Sequence, residues 1–357
     1  MTKPREIRVA IAGVGNCCQA LLEGIEYYRQ NPDDTRGLMN VDIGGYQVTD
    51  IVPVAAFDIN AEKVGKDLGE AIYAEPNMAY RYPGIQAPRY GVQVQMGPVL
   101  DGNPDVLAEF VPLARHEPCD VVQALKDSGA EMLLNLIPTE SHAAARFYAD
   151  AAIKCARIGF VNGMPTLIVC DPDYQKAAIE NGVPLIGDDV KSQLGGTAIH
   201  RALASLFRAR GVHMAETYQI NYAGNTDFAN LMDRGLSKHK TKQEAVTSLM
   251  PYPVNMSTGF TYVPLMKDRK TTVFWINGAN FGNAPLHLEA KLEVEDSANF
   301  GGVMVDMARY IRLAQDRGVS GVLDSACSFL TKHPPVQIPD MEAWERVQEY
   351  VAGTRER

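Results

Sequence analysis

The sequence contains no run of about 18 apolar residues, the length that a membrane-spanning helix requires. The first residues, 1–7, are charged and lead directly into a predicted strand, so they do not have the pattern of a signal peptide. These two absences predict a cytoplasmic protein that is not embedded in a membrane.

Cysteine and histidine are also sparse. The six cysteines have no C-x-x-C spacing, which in a long chain predicts reduced thiols rather than a disulfide framework. The seven histidines form no H-E-x-x-H or mixed cysteine–histidine pattern, so no structural zinc site is predicted. A metal bound by carboxylates and water stays open, because such ligands leave little spacing signal.

Positive charge is in deficit: 34 lysines and arginines face 43 aspartates and glutamates, a formal net charge of −9. This balance excludes nucleic acid and anionic membrane surfaces as main partners, because both would be repelled. An anionic substrate would therefore need a local cluster of lysines. With 357 residues, 46% of them hydrophobic, the chain can bury a large core in two domains or one large α/β unit.

The first half alternates between apolar runs and amphipathic segments. This pattern predicts a doubly wound parallel sheet of the Rossmann type. The predicted strands are Ile7–Ala12, Ile51–Phe57, Met132–Ile137, Gly159–Asn162 and Val183–Ile186. The predicted helices include Val121–Ser128, Ser141–Arg157 and Tyr174–Asn181.

The pattern of predicted helices and strands changes after Ser192. A helix that ends at Gly211 is followed by predicted strands with long connections, Thr217–Tyr222, Thr271–Asn277 and Leu286–Val294. They predict a second, α+β domain at residues 205–305 for catalysis and oligomerisation. Residues 1–204 and 306–357 then form the nucleotide-binding domain, with the C-terminal segment packing back on it.

A glycine turn, Gly13-Val14-Gly15-Asn16, lies between the first predicted strand and helix. Such a turn lets backbone N–H groups approach a pyrophosphate at a helix N-terminus. Asp58 ends the second strand, where a carboxylate accepts hydrogen bonds from ribose hydroxyls and disfavours a 2′-phosphate. The motif therefore predicts NAD rather than NADP.

Two features weaken this motif on its own. Cys18 stands at the position of the usual third glycine, and Asp58 lies farther from Gly13 than the usual ~20 residues. A polar insertion at Tyr28–Thr49 accounts for the extra length. The alternative is a plain glycine turn followed by a solvated aspartate.

Six sequence blocks in the second half resemble the myo-inositol-phosphate synthase family in order and spacing, most closely its short bacterial and archaeal form. The resemblance extends from about residue 8 to residue 339. The blocks are Gly187-Asp-Asp-Val-Lys-Ser192, Asn221-Tyr-Ala-Gly-Asn225-Thr-Asp227, Ser237-Lys-His-Lys-Thr-Lys242, Asp268-Arg-Lys270, Leu292-Glu-Val-Glu-Asp296-Ser297 and Phe329-Leu-Thr-Lys332.

The resemblance implies an isomerase of inositol and phospholipid biosynthesis that assembles as a homotetramer. In this family D-glucose 6-phosphate becomes 1D-myo-inositol 3-phosphate. C5 is oxidised with NAD, C6 enolises and attacks the C1 aldehyde, and C5 is reduced again. Family members use divalent ions, ammonium or potassium, and no ligand set in this sequence chooses among them.

Every intermediate on this path carries negative charge, which fixed cations stabilise. Lys238 and Lys242 are four residues apart, so on a helix they share a face and lower each other's proton affinity. One neutral lysine could then act as a base. By resemblance Lys238 exchanges a proton with the C5 hydroxyl and Lys242 lies near the phosphate and the enolate, while Lys270 and Lys332 hold the C5 and C1 oxygens. The alternative for each is a solvated surface lysine, the interpretation accepted for Lys240.

The remaining candidates are carboxylates, amides and hydroxyls. Asp189 and Asp296 would orient lysines and hydroxyls or hold a cation, although Asp189 could also cap a helix that begins near Ser192. Ser192 would contribute to a phosphate cradle at that helix. The other candidates are Asn221, Asn225 and Asp227 for the substrate, Asn135 and Asn162 for the nicotinamide half of the cofactor, and Asp188 for the cofactor.

One departure from the family pattern concerns the phosphate contacts. Many members continue the Asp-x-Lys-Ser run with Gly-Gln-Thr-Lys, whereas this chain reads Gln193-Leu-Gly-Gly-Thr197. Two other functions stay open: a sugar-phosphate dehydrogenase or epimerase on the same scaffold, and a non-catalytic NAD-sensing regulator. The four candidate lysines favour aldol chemistry over simple hydride transfer.

Overall fold

The computed structural model describes residues 5–234 and 236–357, which form two β-sheets with helices packed against them. Residues 1–4 of the charged N-terminal segment therefore lie outside the described part. No helix within the described ranges is long and apolar enough to cross a membrane.

The elements confirm the predicted α/β class. The strands are β1 (Ile7–Ala12), β2 (Ile51–Asp58), β3 (Val94–Met96), β4 (Met132–Asn135), β5 (Gly159–Asn162), β6 (Pro184–Ile186), β7 (His213–Ala223), β8 (Asn255–Tyr262), β9 (Arg269–Ala279), β10 (Pro285–Glu295) and β11 (Gly321–Val322). The helices are α1 (Asn16–Gln30), α2 (Leu68–Ala71), α3 (Asp105–Ala108), α4 (Val121–Ser128), α5 (His142–Ala149), α6 (Pro172–Asn181), α7 (Gly196–Ala209), α8 (Thr226–Arg234), α9 (Leu236–Thr247), α10 (Asp296–Asp316), α11 (Asp324–Leu330) and α12 (Asp340–Ala352).

The larger sheet has seven parallel strands in the order β11-β6-β5-β4-β1-β2-β3. Strands such as β4 and β5 are buried at every position, because helices cover both faces and favour continuous apolar runs. The strand order reverses direction at β1, between β4 and β2. A ligand site is expected in the crevice at the carboxyl ends of these strands.

The smaller sheet has the order β10-β9-β7-β8, with β8 parallel to β7 and the other pairs antiparallel. Helices α7, α8 and α9 pack against β7 or β8. These helices bring the Lys238–Lys242 segment to the space between the two sheets. The two-sheet architecture therefore agrees with the sequence prediction.

Several predicted bounds differ from the structure. The helix predicted at Ser141–Arg157 is α5 continued by a π-helix, Asp150–Ala156. The helix expected to begin near Ser192 begins at Gly196, after a loop. The proposed domain limits at residues 205 and 305 fall inside the continuous helices α7 and α10, so the division of the chain into those domains stays a prediction.

The polar insertion after α1 is anchored to α10 by a buried arginine. The Arg309 guanidinium donates to the carbonyl oxygens of Asn40 at 2.8 Å, Val41 at 3.2 Å and Tyr46 at 3.3 Å. It also pairs with Asp306, and both side chains are fully buried. The insertion is thus packed against α10.

Replacing Arg309 with leucine should lower the free energy of unfolding by about 3–5 kcal/mol, because Asp306 would stay buried without its partner. The matched control is Arg346→Leu, which removes an exposed pair with Glu342 and should cost less than about 1 kcal/mol. Urea unfolding of the two variants measures the difference. Equal losses of stability would contradict the anchoring role.

Candidate active site

A large cleft opens between the carboxyl ends of the parallel strands and the helices of the smaller sheet. It encloses about 1710 Å³ of space that no atom occupies, including part that is open to solvent. The glycine turn and the four candidate lysines all line it.

The glycine turn has the geometry that a pyrophosphate needs. Gly13 has φ +91°, and a side chain there would place its Cβ 2.6 Å from the carbonyl oxygen of Leu136. Helix α1 follows with Gly15 as its N-cap, no side-chain cap and no acidic residue in its first turn. The N-terminus of α1 therefore presents uncapped N–H groups and a positive dipole end to the cleft.

Asp58 lies at the end of β2 beside this turn. Its carboxylate accepts hydrogen bonds from the N–H groups of Val14 at 2.7 Å, Ile59 at 2.7 Å and Asn60 at 2.9 Å. A carboxylate offers about four acceptor positions, so one stays available for a ribose hydroxyl. The turn, the uncapped helix and Asp58 together fit a dinucleotide.

The four candidate lysines converge on the cleft, and three of them pair with the candidate carboxylates. Lys332 pairs with Asp189 at 2.6 Å, Lys238 with Asp227 at 2.5 Å, and Lys270 with Asp296. The three lysine side chains are only 11 to 16% exposed, so these ion pairs are largely shielded from solvent. The alternative of solvated surface lysines is therefore wrong for all three.

Lys242 differs from the other three. No carboxylate in the described ranges forms an ion pair with its ammonium group, which lies 4.7 Å from the centre of the Phe260 ring. Burial, together with the nearby charges of Lys270 and Lys332, holds the pKa of Lys242 well below its usual value. Of the four lysines, Lys242 is thus best suited to be neutral near pH 7.

The pKa of Lys238 shifts in the opposite direction. Burial alone would lower it, but attraction to Asp227 and Asp189 is stronger and raises the pKa. Of the two helical lysines, Lys242 is therefore the one suited to lose its proton, and Lys238 stays charged. Burial also lowers the pKa of Lys332, partly offset by Asp189.

A second uncapped helix N-terminus faces the cleft at the start of α7. Ser192, Gly195, Gly196 and Thr197 line the cleft there, and α7 has no side-chain cap. A Cβ at Gly196 would lie 2.6 Å from Nε2 of Gln219, so glycine is needed for the helix to approach the sheet. These residues form a cradle that fits a phosphate.

The contacts of the loop before α7 show whether Asp189 caps a helix and whether Gln193 faces the cleft. Asp189 is not a helix cap, because it accepts from Lys332 and from the Thr241 hydroxyl, at 2.6 Å each, and α7 begins seven residues later. Gln193 turns away from the cleft and donates to the carbonyl oxygen of Gly37 at 2.7 Å. Phosphate contacts would therefore come from Ser192 and the first turn of α7.

Two of the candidate amides differ in their position relative to the cleft. Asn221 is fully buried behind the lining and accepts from Gln219 at 2.9 Å and Thr272 at 3.1 Å, so it supports the sheet beneath α7. Asn225 lines the cleft and donates to Asp268 at 3.0 Å.

Three of the cofactor candidates, Asn135, Asn162 and Asp188, form a buried chain of hydrogen bonds. Asn135 donates to Asn162 at 2.9 Å, and Asn162 donates to Asp188 at 2.7 Å. Burial raises the pKa of Asp188 to about 7, although the N–H groups of Ile168, Val169 and Cys170 act against this shift. This chain supports the carboxyl ends of β4, β5 and β6, and its cofactor role stays a prediction. Asn16 lines the cleft and accepts from the N–H of Met78 at 2.7 Å.

Sequence reasoning missed four buried residues around the cleft. Thr139 and Thr241 donate to Asp227 and Asp189, and Asp268 accepts from Ser297 and Asn225. Lys63 donates to the carbonyl oxygen of Val14 in the glycine turn at 2.9 Å. Thr139 closely follows a predicted parallel strand, and Thr241 and Asp268 stand inside two of the family blocks. Their roles nevertheless depend on partners that are distant in sequence, as does the role of Lys63.

The described residues contain no group of three or more histidine, cysteine, aspartate or glutamate side chains arranged for a metal ion. All six cysteines are free.

Comparison with known proteins agrees with this geometry. The family described as myo-inositol-1-phosphate synthase matches residues 195–297. Inositol-3-phosphate synthase of Corynebacterium glutamicum is 44% identical over 97% of this chain and 98% of its own length. The Mycobacterium tuberculosis H37Rv protein of the same name is 43% identical over 98% of this chain and 96% of its own length.

A solved structure has a similar fold. The crystal structure of a protein named Ari2 is 34% identical, has a TM-score of 0.79, and covers 97% of this chain and 99% of that chain. The identity of 43 to 44% with the two named synthases, over nearly the whole length of each chain, shows that the chain belongs to the myo-inositol-1-phosphate synthase family.

Proposed function

We propose that the protein is an inositol-3-phosphate synthase, which converts D-glucose 6-phosphate to 1D-myo-inositol 3-phosphate. The observation that carries this proposal is the convergence of four buried lysines on the cleft that contains the glycine turn. Three of these lysines are oriented by carboxylates, and the fourth, Lys242, forms no ion pair with a carboxylate among the described residues. The names of the full-length relatives support the same activity.

NAD, when bound, supplies the hydride acceptor for C5 and returns the hydride after cyclisation. Gly13, Gly15, Asn16 and the N-terminus of α1 would hold its pyrophosphate, and Asp58 would accept from its adenosine ribose. The ribose contact disfavours the additional phosphate of NADP. The nicotinamide end would lie toward the carboxyl ends of β4 and β5, as in other doubly wound sheets.

The phosphate of the substrate would bind at the N-terminus of α7. Ser192 and Thr197 supply hydroxyl groups there, and the hydroxyl oxygen of Thr197 is buried without a partner among the described residues. Uncapped N–H groups and the helix dipole favour the phosphate charge. Binding energy at this remote group would hold the reacting carbons in place.

Lys242 is the best candidate for the base that takes the proton from the C5 hydroxyl. Its lowered pKa makes the neutral amine available, whereas Lys238 is kept charged by Asp227. This assignment differs from the family-based expectation for Lys238, which would instead stabilise the developing oxyanion.

Lys270 and Lys332 would act as fixed cations during the later steps. Enolisation places negative charge on the C5 oxygen, and aldol closure places it on the C1 oxygen. An ammonium group that is already oriented by a carboxylate stabilises such charge with little reorganisation. Asp296 and Asp189 provide this orientation, so the cleft carboxylates are engaged with lysines and no cation site is assigned to them.

The proposal also extends to assembly and location. A homotetramer is supported by the uncovered face of the smaller sheet, where Tyr218 and Trp275 stack with ring centres 5.3 Å apart and Ile220 is 37% exposed. Glucose 6-phosphate and NAD are intracellular metabolites, so the site of action would be the cytoplasm. The product would supply inositol and phospholipid biosynthesis.

Incubation of the protein with NAD and glucose 6-phosphate should yield an inositol phosphate without net accumulation of NADH, because the hydride is returned. Phosphorus NMR identifies the product, and absorbance at the NADH band follows the cofactor. Replacement of NAD by NADP should reduce turnover, since Asp58 repels the 2′-phosphate. Accumulating NADH with an oxidised sugar would instead indicate a dehydrogenase, and NAD binding without turnover a regulator.

Both Lys242→Ala and Lys242→Arg should reduce kcat by about 10²-fold or more and leave NAD binding intact. Arginine keeps the charge but cannot deprotonate at accessible pH, so it cannot serve as a base. In the wild type, kcat/KM should rise with pH as Lys242 loses its proton. The matched control is Lys240→Arg on the same helix, whose side chain is 71% exposed and should be neutral to activity. A nearly wild-type rate for Lys242→Arg would show that only the charge matters.

A further inference from the structure

The loop after β4 reaches across the cleft to the helices of the smaller sheet. Thr139 is 1% exposed, and its hydroxyl donates to Oδ1 of Asp227 at 2.8 Å. The other oxygen of Asp227, Oδ2, accepts from the Nζ of Lys238 at 2.5 Å. A hydroxyl, a carboxylate and an ammonium group therefore form one chain from the parallel sheet to α9.

The same loop is also held through its backbone. Asn230, on α8 three residues after Asp227, donates to the carbonyl oxygen of Thr139 at 2.8 Å. Arg234, one turn farther along, donates to the carbonyl oxygens of Glu140 and Asp101. Docking of α8 on the loop therefore has backbone anchors that do not involve the Thr139 hydroxyl.

This separation gives the hydroxyl a role of its own. A carboxylate next to one ammonium group can rotate about its terminal bond, and a second donor on its other oxygen restricts that rotation. Thr139 also lies at the carboxyl end of β4, the part of a doubly wound sheet that faces the nicotinamide half of a dinucleotide. We propose that Thr139 is a positioning residue, whose hydroxyl orients Asp227 and thereby fixes the Lys238 ammonium group against the reacting sugar. The catalytic consequence rests on the proposed function.

The charges around Asp227 come from several elements. Lys238 on α9 and Lys270 on β9 both favour the ionised carboxylate, and the Thr139 hydroxyl adds to this effect. Cys17 on α1 also lies close to Asp227. Asp189 and Asp296 raise the pKa of Lys238 as well. Burial opposes ionisation, but the sum of these contacts holds the pKa of Asp227 below its usual value.

Thr139→Val is the decisive variant, because valine has nearly the shape of threonine and leaves the carbonyl contact with Asn230 in place. We expect kcat to fall roughly 10- to 100-fold, the loss typical of a hydrogen bond to a charged group, with little change in NAD affinity. Asp227 raises the pKa of Lys238. Without the hydroxyl Asp227 can turn away from Lys238, so the pKa of Lys238 should fall and the alkaline limb of kcat/KM, where Lys238 loses its proton, should move to lower pH. Thr139→Ser keeps the hydroxyl and should restore both the rate and the limb.

Asn230→Leu is the matched structural control. It removes a backbone anchor of the same loop without changing the hydrogen bonds of Asp227, so it should lower stability but leave the alkaline limb in place. If Thr139→Val merely lowers the rate equally at all pH values, or if it behaves like Asn230→Leu, the positioning role is wrong.

A readout that is independent of turnover separates this inference from the proposed function. Carbon-13 NMR can follow the titration of the Asp227 carboxyl group, with Asp227→Asn used for assignment. In Thr139→Val that titration should shift to higher pH, and in Thr139→Ser it should stay close to the wild type. An unshifted titration in Thr139→Val would overturn the assignment whatever the substrate proves to be. A shifted titration in a protein that does not convert glucose 6-phosphate would support the positioning of Lys238 and reject the proposed reaction alone.

Discussion

Four largely buried lysine side chains in one cleft are the constraint on which the rest of the site depends. Like charges in one cleft repel, and burial makes each charge more costly than it is in water. The protein offsets three of the four with an aspartate each, and leaves Lys242 with only an aromatic ring beside it among the residues that the structure describes. This uneven compensation separates the lysines into fixed cations and one potential base.

The fold explains how residues from distant parts of the chain reach that cleft. The parallel sheet places the glycine turn and Asp58 at its carboxyl edge, and the loop after β6 brings Asp189 to the same edge. Helix α9 contributes Lys238 and Lys242 from one face, and β9 contributes Lys270. The segment after α11 pairs with the Asp189 loop through the bridge between Val190 and Thr331, which positions Lys332.

Much of this arrangement could be predicted from the sequence, because the signals are local. Alternating apolar runs predicted the parallel sheet, and the Gly13–Gly15 turn between a strand and a helix predicted the nucleotide crevice. The i,i+4 spacing of Lys238 and Lys242 predicted mutual repulsion, although it could not tell which lysine would be neutral. That distinction depends on Asp227, whose approach to Lys238 is a tertiary contact. For the same reason, the threonines that donate to Asp189 and Asp227 left little or no trace in the sequence pattern.

At the start of α7 the sequence prediction was wrong, because tertiary contacts outweigh a local signal. Asp189-x-x-Ser192 has the form of a helix start, yet the Lys332 and Thr241 contacts hold Asp189 in a loop with φ +60° and the helix begins at Gly196. The ion pair with Lys332 and the hydrogen bond from Thr241 therefore outweighed a capping preference of about 1 kcal/mol. The result moves the phosphate cradle from a helix cap to the glycines that precede Thr197.

The proposed chemistry requires that the cleft keep one lysine neutral while its neighbours stay charged. Carbon-13 NMR of the lysine ε-carbons, with Lys242→Arg used to assign the signal, measures this directly in the protein without ligands. We expect the Lys242 signal to titrate well below the usual lysine pKa of about 10.4, and the Lys238 signal to titrate above it. Titration of Lys242 at or above the usual value would contradict its assignment as the base.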